Sequence, residues 1–357
     1  MKTGMNNKFL KLEALRGLAA FYVVLHHTLP HVYVVGGVNV GLLVKFGQEA
    51  VILFFILSGF VINYSFRLKK INTFKKYFFS RFFRIYIPLV PVLLISYLNY
   101  SYIEGAWQNP DIGVLIGNLF MLQDWSFARP NVIVDAYMGN GPLWTLSYEW
   151  WFYMLFYPLV TTNLSKPTRD VVVYGTCIAA AMLYVIWPFY PIRVVMYLAI
   201  WWTGVRLSDA YIDSELSAWR NVLLPFAALL SVCCLLAFKV FIQKQQGVNL
   251  LLGIHPIIEL RHFVFAVAAL SIALMWRRVG WVGFNALVGP FVVLAPISYT
   301  LYIVHSPLAQ YGTYLDAINN TYVEWVGYLA ISIAVSYLIE LKIYPVVRKR
   351  LYPMFVK

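Results

Sequence analysis

Apolar stretches of close to 20 residues alternate with short polar connections along the whole chain, at about 10–30, 47–66, 85–103, 143–161, 171–188, 191–208, 221–241, 260–277, 291–310 and 322–343. At 1.5 Å of rise per residue such a stretch matches the hydrocarbon thickness of a bilayer. The pattern therefore predicts an all-α fold, a polytopic transmembrane helix bundle of about ten helices. Polar residues interrupt it in few places. Arg16, His26 and His27 fall in the first stretch, Thr145 and Glu149 in the fourth, and Ser298, Tyr302 and His305 in the ninth.

Composition agrees with the pattern. The 357 residues are 61% hydrophobic and 18% aromatic, only 12% are charged, and the mean hydropathy is +0.70, which excludes an ordinary soluble domain. The net charge of +13 raises nucleic acid as a partner, but topology accounts for most of it. With the N-terminus cytoplasmic, 21 of the 28 basic residues fall on the inward side, so the positive-inside rule favours N-in and C-in, and nucleic acid is not expected. Cys177, Cys233 and Cys234 lie inside predicted helices, match no zinc or redox spacing and read as packing residues. No metal is expected. The basic and apolar N-terminus lacks a small-residue cleavage site and reads as a retained helix. Residues 1–357 are expected to form one membrane domain without an appended soluble domain.

A charge at the centre of a bilayer costs about 2.5 to 3.5 kcal/mol on insertion scales, so ionisable groups there face a bundle interior or a wet cavity. Arg16 and His27 are eleven positions apart, a rotation of about 1100°, which is within about 20° of three full turns and a climb of about 16 Å. They project from one face. His26 is offset from that face by about 80° and suits a hydrogen bond to a neighbouring helix. An arginine near one leaflet suits an anionic group, and a histidine at depth suits proton transfer or nucleophilic chemistry. The pair points to a ligand that lies along the helix.

Other motifs extend this reading. In KKYFFSRFFRIYIPL, Arg81 and Arg84 share a helical face at the level where Arg16 begins, either to bind phosphates bidentately or as positive-inside determinants. In GPLWTLSYEWWFY, Thr145 sits one turn before Glu149, a carboxylate that is an ion-pair partner, a catalytic base or orienter, or a structural acid. In PISYTLYIVHSP, Ser298, Tyr302 and His305 share a face, for chemistry or for helix packing. Ser58-Gly59 permits close helix approach and offers little chemistry. The connection Glu104–Pro142 mixes Trp107, Trp125 and Tyr137 with Asp111, Gln123, Asp124, Arg129, Asn131, Asp135 and Asn140, either a sugar-binding surface or an interfacial loop. A second connection, about Phe241 to Glu259, carries Lys244, Asn249 and His255 and says less.

Taken in order, ALRGLAAFYVVLHH, FFILSGF, FFSRFFRIYIPL, GPLWTLSYEWWFY and ISYTLYIVHSP resemble the acyltransferase-3 family of integral-membrane O-acyltransferases, over essentially the whole chain. The resemblance implies an enzyme of the cytoplasmic (inner) membrane that moves an acyl group, acetyl by family frequency, from acyl-coenzyme A to a glycan, lipid-linked saccharide or glycoside. It identifies the arginine, ten residues, histidine element as Arg16 to His27, and it links Arg81 and Arg84 to acyl-coenzyme A. The family's Ser-x-x-x-Glu element is Thr145 to Glu149 here, which keeps a hydroxyl. His27 would then serve as base or as acyl carrier, with Glu149 orienting it if packing brings them together. The rival reading is a transporter or flippase for a lipid-linked sugar, which discontinuous helices or inverted repeats would support.

Overall fold

A computed structural model describes residues 2–29, 34–69, 73–213 and 220–356. The expected end of the first stretch at Pro30 and the basic residues Lys70 and Lys357 lie outside the described residues. Helices dominate: α1 Lys2–Thr28, α2 Gly47–Lys69, α3 Phe74–Ile103, the short α4 Ile112–Leu119, α5 Trp144–Thr161, α6 Lys166–Ile186, α7 Tyr190–Ile212, α8 Arg220–Gln245 and α9 Ile257–Arg278. The short α10 Phe284–Leu287, α11 Ser298–His305, α12 Thr321–Tyr337 and α13 Tyr344–Phe355 follow. Among the described residues strand is confined to two pairs of two-residue segments.

Local chemistry sets several boundaries. The Thr73 hydroxyl accepts the Lys76 N–H and Ser165 accepts the Thr168 N–H, so α3 and α6 begin on capped turns. For α3 this places the start eleven residues before the expected 85, and Arg81 and Arg84 ride inside a 30-residue helix rather than in a connection. The ninth stretch is not a uniform helix. Residues Gly289–Ile297 form a 3₁₀ turn containing Pro290 and Pro296, α11 follows, and Ser306–Gln310 is a π turn with Pro307 near its start. A proline has no N–H for the ladder, so three of them in one span displace α-helical bonding. The tenth stretch also runs on, through the π turn Leu338–Ile343 into α13, as one 35-residue segment.

Among the described residues, seven segments are long and apolar enough to cross a membrane, and α1, α5 and α7 are not among them. The reason for α7 is its position: Met196 to Val205 is buried without a break, with Trp201 and Trp202 inaccessible, so it serves as a central post that tolerates Arg193, Arg206 and Asp209. The outer helices instead present apolar side chains outward, among them Leu94, Ile186, Phe238, Ile272 and Met275. Such a surface is stable against lipid and not against water, and the chain is a multi-pass membrane protein. Cys177 and Cys233 are buried, as packing requires, while Cys234 is exposed.

The tightest contact in the bundle joins α2 to α7. A Cβ added at Gly204 would stand 1.9 Å from the Ile56 carbonyl oxygen, and one at Gly59 would stand 2.0 Å from that of Trp201. Neither backbone can retreat. Gly17 of α1 meets the Phe291 carbonyl in the same way, at 1.9 Å. Gly204→Val is therefore expected to cost about 1 to 3 kcal/mol or more through overpacking, read as a lower midpoint of thermal unfolding in detergent. An unchanged midpoint would show that the helices separate freely.

Candidate active site

Six helices enclose a cavity of about 290 Å³. Its wall takes Arg16 from α1, Ser58 from α2, Arg81 and Arg84 from α3, Thr145, Glu149 and Tyr153 from α5, Ser298, Tyr299 and Tyr302 from α11, and Tyr344 and Arg348 from α13. Seven of the nine residues singled out in the sequence meet here. His27 and His305 do not line it.

Four arginines face one wall carboxylate, so the lining carries a formal charge of +3 (four minus one). Two of the arginines have acidic partners just behind the wall. Arg16 Nη1 donates to Glu13 at 3.1 Å, and Arg84 Nη1 donates to Glu340 Oε2 at 2.5 Å. Glu340 also accepts from the Thr300 hydroxyl at 3.0 Å. Arg81 is less well served: Nη2 reaches Ser80 Oγ at 3.0 Å, while its buried Nε has no hydrogen-bond partner. The Arg81 guanidinium lies 5.9 Å from the Tyr153 ring centre, and the Arg84 guanidinium lies 5.0 Å from that of Tyr299. Fixed cations with unmet donors are what an anionic group such as a phosphate requires.

Glu149 is committed inside the cavity. It accepts from Ser58 Oγ at 2.7 Å and from the Tyr153 hydroxyl, and Trp201 Nε1 donates to Ser58 Oγ at 3.2 Å. Thr145 Oγ1 donates to the Pro142 carbonyl at 3.1 Å, and so does the Tyr302 hydroxyl at 3.2 Å. Ser298 Oγ donates to Ala295 O at 2.8 Å. The conditional pairing of Glu149 with His27 is not found. Glu149 shares the cavity wall with Arg81, whereas α1 carries His27 eleven residues, about 16 Å, beyond Arg16.

His27 instead joins an imidazole cluster. Its ring centre lies 4.7 Å from that of His26 and 5.2 Å from that of His305. His26 Nδ1 meets the Val44 carbonyl oxygen at 2.7 Å, the bond to a neighbouring segment that its helical offset suggested. His305 is fully buried, with Nδ1 held 3.3 Å from Leu301 O and Nε2 without a hydrogen-bond partner. Thus α1 carries Arg16, and α11 carries Ser298, Tyr299 and Tyr302, into the cavity, and each helix carries one histidine to a common point further along.

Several contributors were not singled out in the sequence. Ser58 was read as a packing residue, yet its hydroxyl is the hinge of the Glu149 cluster. Glu340 interrupts the apolar run VSYLIELKI, so the argument that marked Arg16 marks it equally. Arg348 and Tyr344 lie beyond the expected end of the tenth helix, and no pattern brought them back to the site.

Several polar groups of the 104–142 connection are spent internally. Asp124 receives Arg129 Nη1 at 2.9 Å, Arg193 Nη2 at 2.6 Å, the Tyr148 hydroxyl at 2.8 Å and the Trp125 N–H at 2.8 Å, all out of reach of solvent. Arg193 continues to Tyr184, which donates to Glu259 at 2.8 Å, and His255 closes the network on Glu259 at 3.1 Å. Asp111 caps α4, Asn131 holds Pro188 O, and Asp135 holds Ser126. Asp124 and Arg129 therefore serve as buried clasps, while Trp107, Phe120 and Phe127 are among the large exposed side chains of this connection.

The acyltransferase domain model of the acyltransferase-3 family matches residues 9–341, and the chain belongs to that family. The chain is also similar to the acyltransferase MdmB of Streptomyces mycarofaciens, 34% identical over 141 residues. That match covers 38% of this chain and 34% of the relative, so it spans about a third of that protein's length. No solved structure matches.

The Asp124 network yields a pH prediction. Burial opposes ionisation of this carboxyl, but the Arg193 and Arg129 charges and the Tyr148 hydroxyl outweigh it and hold its pKa below the ordinary value. A depressed folded pKa means that the stabilisation is fully present above the unfolded value, about 4, and is lost as pH falls through the folded one. Wild type should lose thermal stability as pH drops below about 4. Asp124→Asn should start about 3 to 5 kcal/mol lower at neutral pH, because two buried guanidiniums lose their carboxylate, and should decline less steeply. Superimposable pH curves for the two proteins would contradict this.

Proposed function

We propose that the protein is a membrane O-acyltransferase, carrying acyl groups from acyl-coenzyme A, acetyl-coenzyme A foremost, to a hydroxyl of a glycan, lipid-linked saccharide or glycoside. The observation that carries this reading is the meeting of Arg16, Arg81 and Arg84 on one cavity whose α1 wall leads to His27. Family membership supports it. In this reading the arginines hold the donor's phosphates on the cytoplasmic side of the inner membrane, with both termini cytoplasmic, and the pantetheine arm follows α1 toward the histidines.

At that point His27 takes the proton of the acceptor hydroxyl as the oxygen attacks the thioester carbonyl. The new C–O bond forms, the C–S bond breaks, and the departing thiolate takes up a proton. The alternative route has His27 carry the acyl group between the two substrates. His305 is the second imidazole at the transfer point, and Tyr302 and Ser298 line the donor's path. Glu149 acts as a positioning residue: it holds Tyr153, on whose ring the Arg81 guanidinium rests. Thr145 keeps the end of α5 closed on Pro142.

A second reading, a transporter for a lipid-linked sugar, draws on the broken span Gly289–Gln310, since discontinuous helices mark many transport sites. Purified protein in liposomes separates the two, by turnover of acetyl-coenzyme A in the first case and translocation without turnover in the second.

Alanine at Arg16, Arg81 or Arg84 is expected to weaken coenzyme A binding at least about tenfold, the equivalent of about 1.4 kcal/mol, and lysine should restore little of it. Unchanged affinity in all three variants, measured calorimetrically on folded protein, would remove the donor from this cavity. His27→Ala should abolish acyl transfer while retaining coenzyme A binding, whereas His26→Ala should leave measurable turnover. Robust turnover by the His27→Ala protein would sink the mechanism.

A further inference from the structure

A second cavity, of about 250 Å³, opens near the His305 end of the same two helices that wall the first. From Arg84 to Ser96, α3 advances twelve residues, about 18 Å, and passes from one cavity to the other. The α11 segment does the same within about one turn, from Tyr302 to Ser306. The histidine cluster lies along this route.

The wall of the second cavity contains no charged side chain. It contains buried polar atoms that nothing satisfies. Asn140 is 1% exposed, and its Nδ2 donates to Ser96 Oγ at 3.0 Å and to Ile303 O at 2.9 Å, which fixes the amide and leaves Oδ1 without a partner. Ser306 is inaccessible, and its hydroxyl has no partner either. Unsatisfied buried groups of this kind are uncommon, and two on one cavity wall call for a ligand. An acceptor oxygen and a hydroxyl on one wall are complementary to a ligand's hydroxyl groups, which can donate to Asn140 and accept from Ser306. Tyr100 and Tyr311 also line the cavity and add aromatic surface of the kind that an apolar sugar face packs against.

Backbone geometry at the wall points the same way. Met138 and Gly139 adopt left-handed conformations, with φ of +48° and +69°, and Ser306 opens a π turn. A non-glycine residue in that region is held against a conformational cost, and both features concentrate at functional sites.

We propose that this cavity is the acceptor subsite and takes a neutral polyhydroxylated ring, whose hydroxyl groups meet Asn140 Oδ1 and Ser306 Oγ. That the ring is the acyl acceptor rests on the acyl-transfer reading above. Its preference for uncharged hydroxyl groups rests on the wall itself. Ser306 acts here in binding and takes no part in donor handling.

The test uses the full-length protein in detergent, with methyl glucosides and methyl galactosides as probes and saturation-transfer NMR as the readout. Wild type should bind at least one probe, and Ser306→Ala should weaken it about tenfold, or about 1.4 kcal/mol. Ser306→Leu, which fills the cavity, should abolish binding, and coenzyme A affinity should stay unchanged in both variants. Equal glycoside affinity in wild type and both variants, or no glycoside bound by wild type, would overturn the subsite. Turnover of acetyl-coenzyme A is scored separately. Ser306-dependent glycoside binding without turnover leaves the subsite standing and removes the acyl-transfer reading. Turnover with an acceptor KM unmoved by either substitution keeps that reading and removes the subsite.

Discussion

A guanidinium cannot discard its proton, so every arginine drawn into this bundle must find an anion, a π face or a cavity. That constraint organises the interior. Arg129 and Arg193 share Asp124 at one end of α7. At the other end Arg67 and Arg169 share Asp209, and Arg206 takes Asp170. Arg261 takes Glu49 between α9 and α2. The large cavity brings four arginines to one wall carboxylate, and in the acyl-transfer reading that excess is what holds the donor's phosphates.

Each internal pairing also joins segments distant in sequence, which is how a largely apolar bundle acquires a single register. Lipid-facing leucines cannot distinguish one helix order from another, because every arrangement offers them hydrocarbon. The Asp124 network can distinguish: it needs the 104–142 connection, α5, α7 and α9 in one arrangement. The glycine contacts between α2 and α7 add a steric requirement of similar sharpness.

The helical, membrane-embedded architecture was legible because it depends on local composition, and apolar length carries that information residue by residue. The cavity was legible in part for the same reason: Arg16, Thr145, Glu149, Ser298 and Tyr302 are polar where the pattern demands apolar residues, Arg81 and Arg84 stood out by their shared helical face, and all of them line it. What the sequence hid was partnership. Nothing local to Glu149 says that Ser58, ninety-one residues away, will hold it, or that His27 will find His305. The polar groups of the 104–142 connection were ambiguous for the complementary reason, since a residue type that suits a sugar also suits a buried clasp such as Asp124. The 3₁₀ and π turns around α11 escaped because prolines announce a break in helical bonding without specifying its replacement.

In the acyl-transfer reading, a phosphate arriving at Arg84 would have to displace the Glu340 carboxylate already seated there, so its affinity would be the difference between two charge-assisted bonds and not the strength of one. The displaced Glu340 keeps its second oxygen on Thr300, and it belongs to the π turn that links α12 to α13. Occupancy of the cavity is therefore coupled through one carboxylate to α11 and to the segment carrying Arg348, and a perturbation of that segment must in turn alter the exchange by the same free energy.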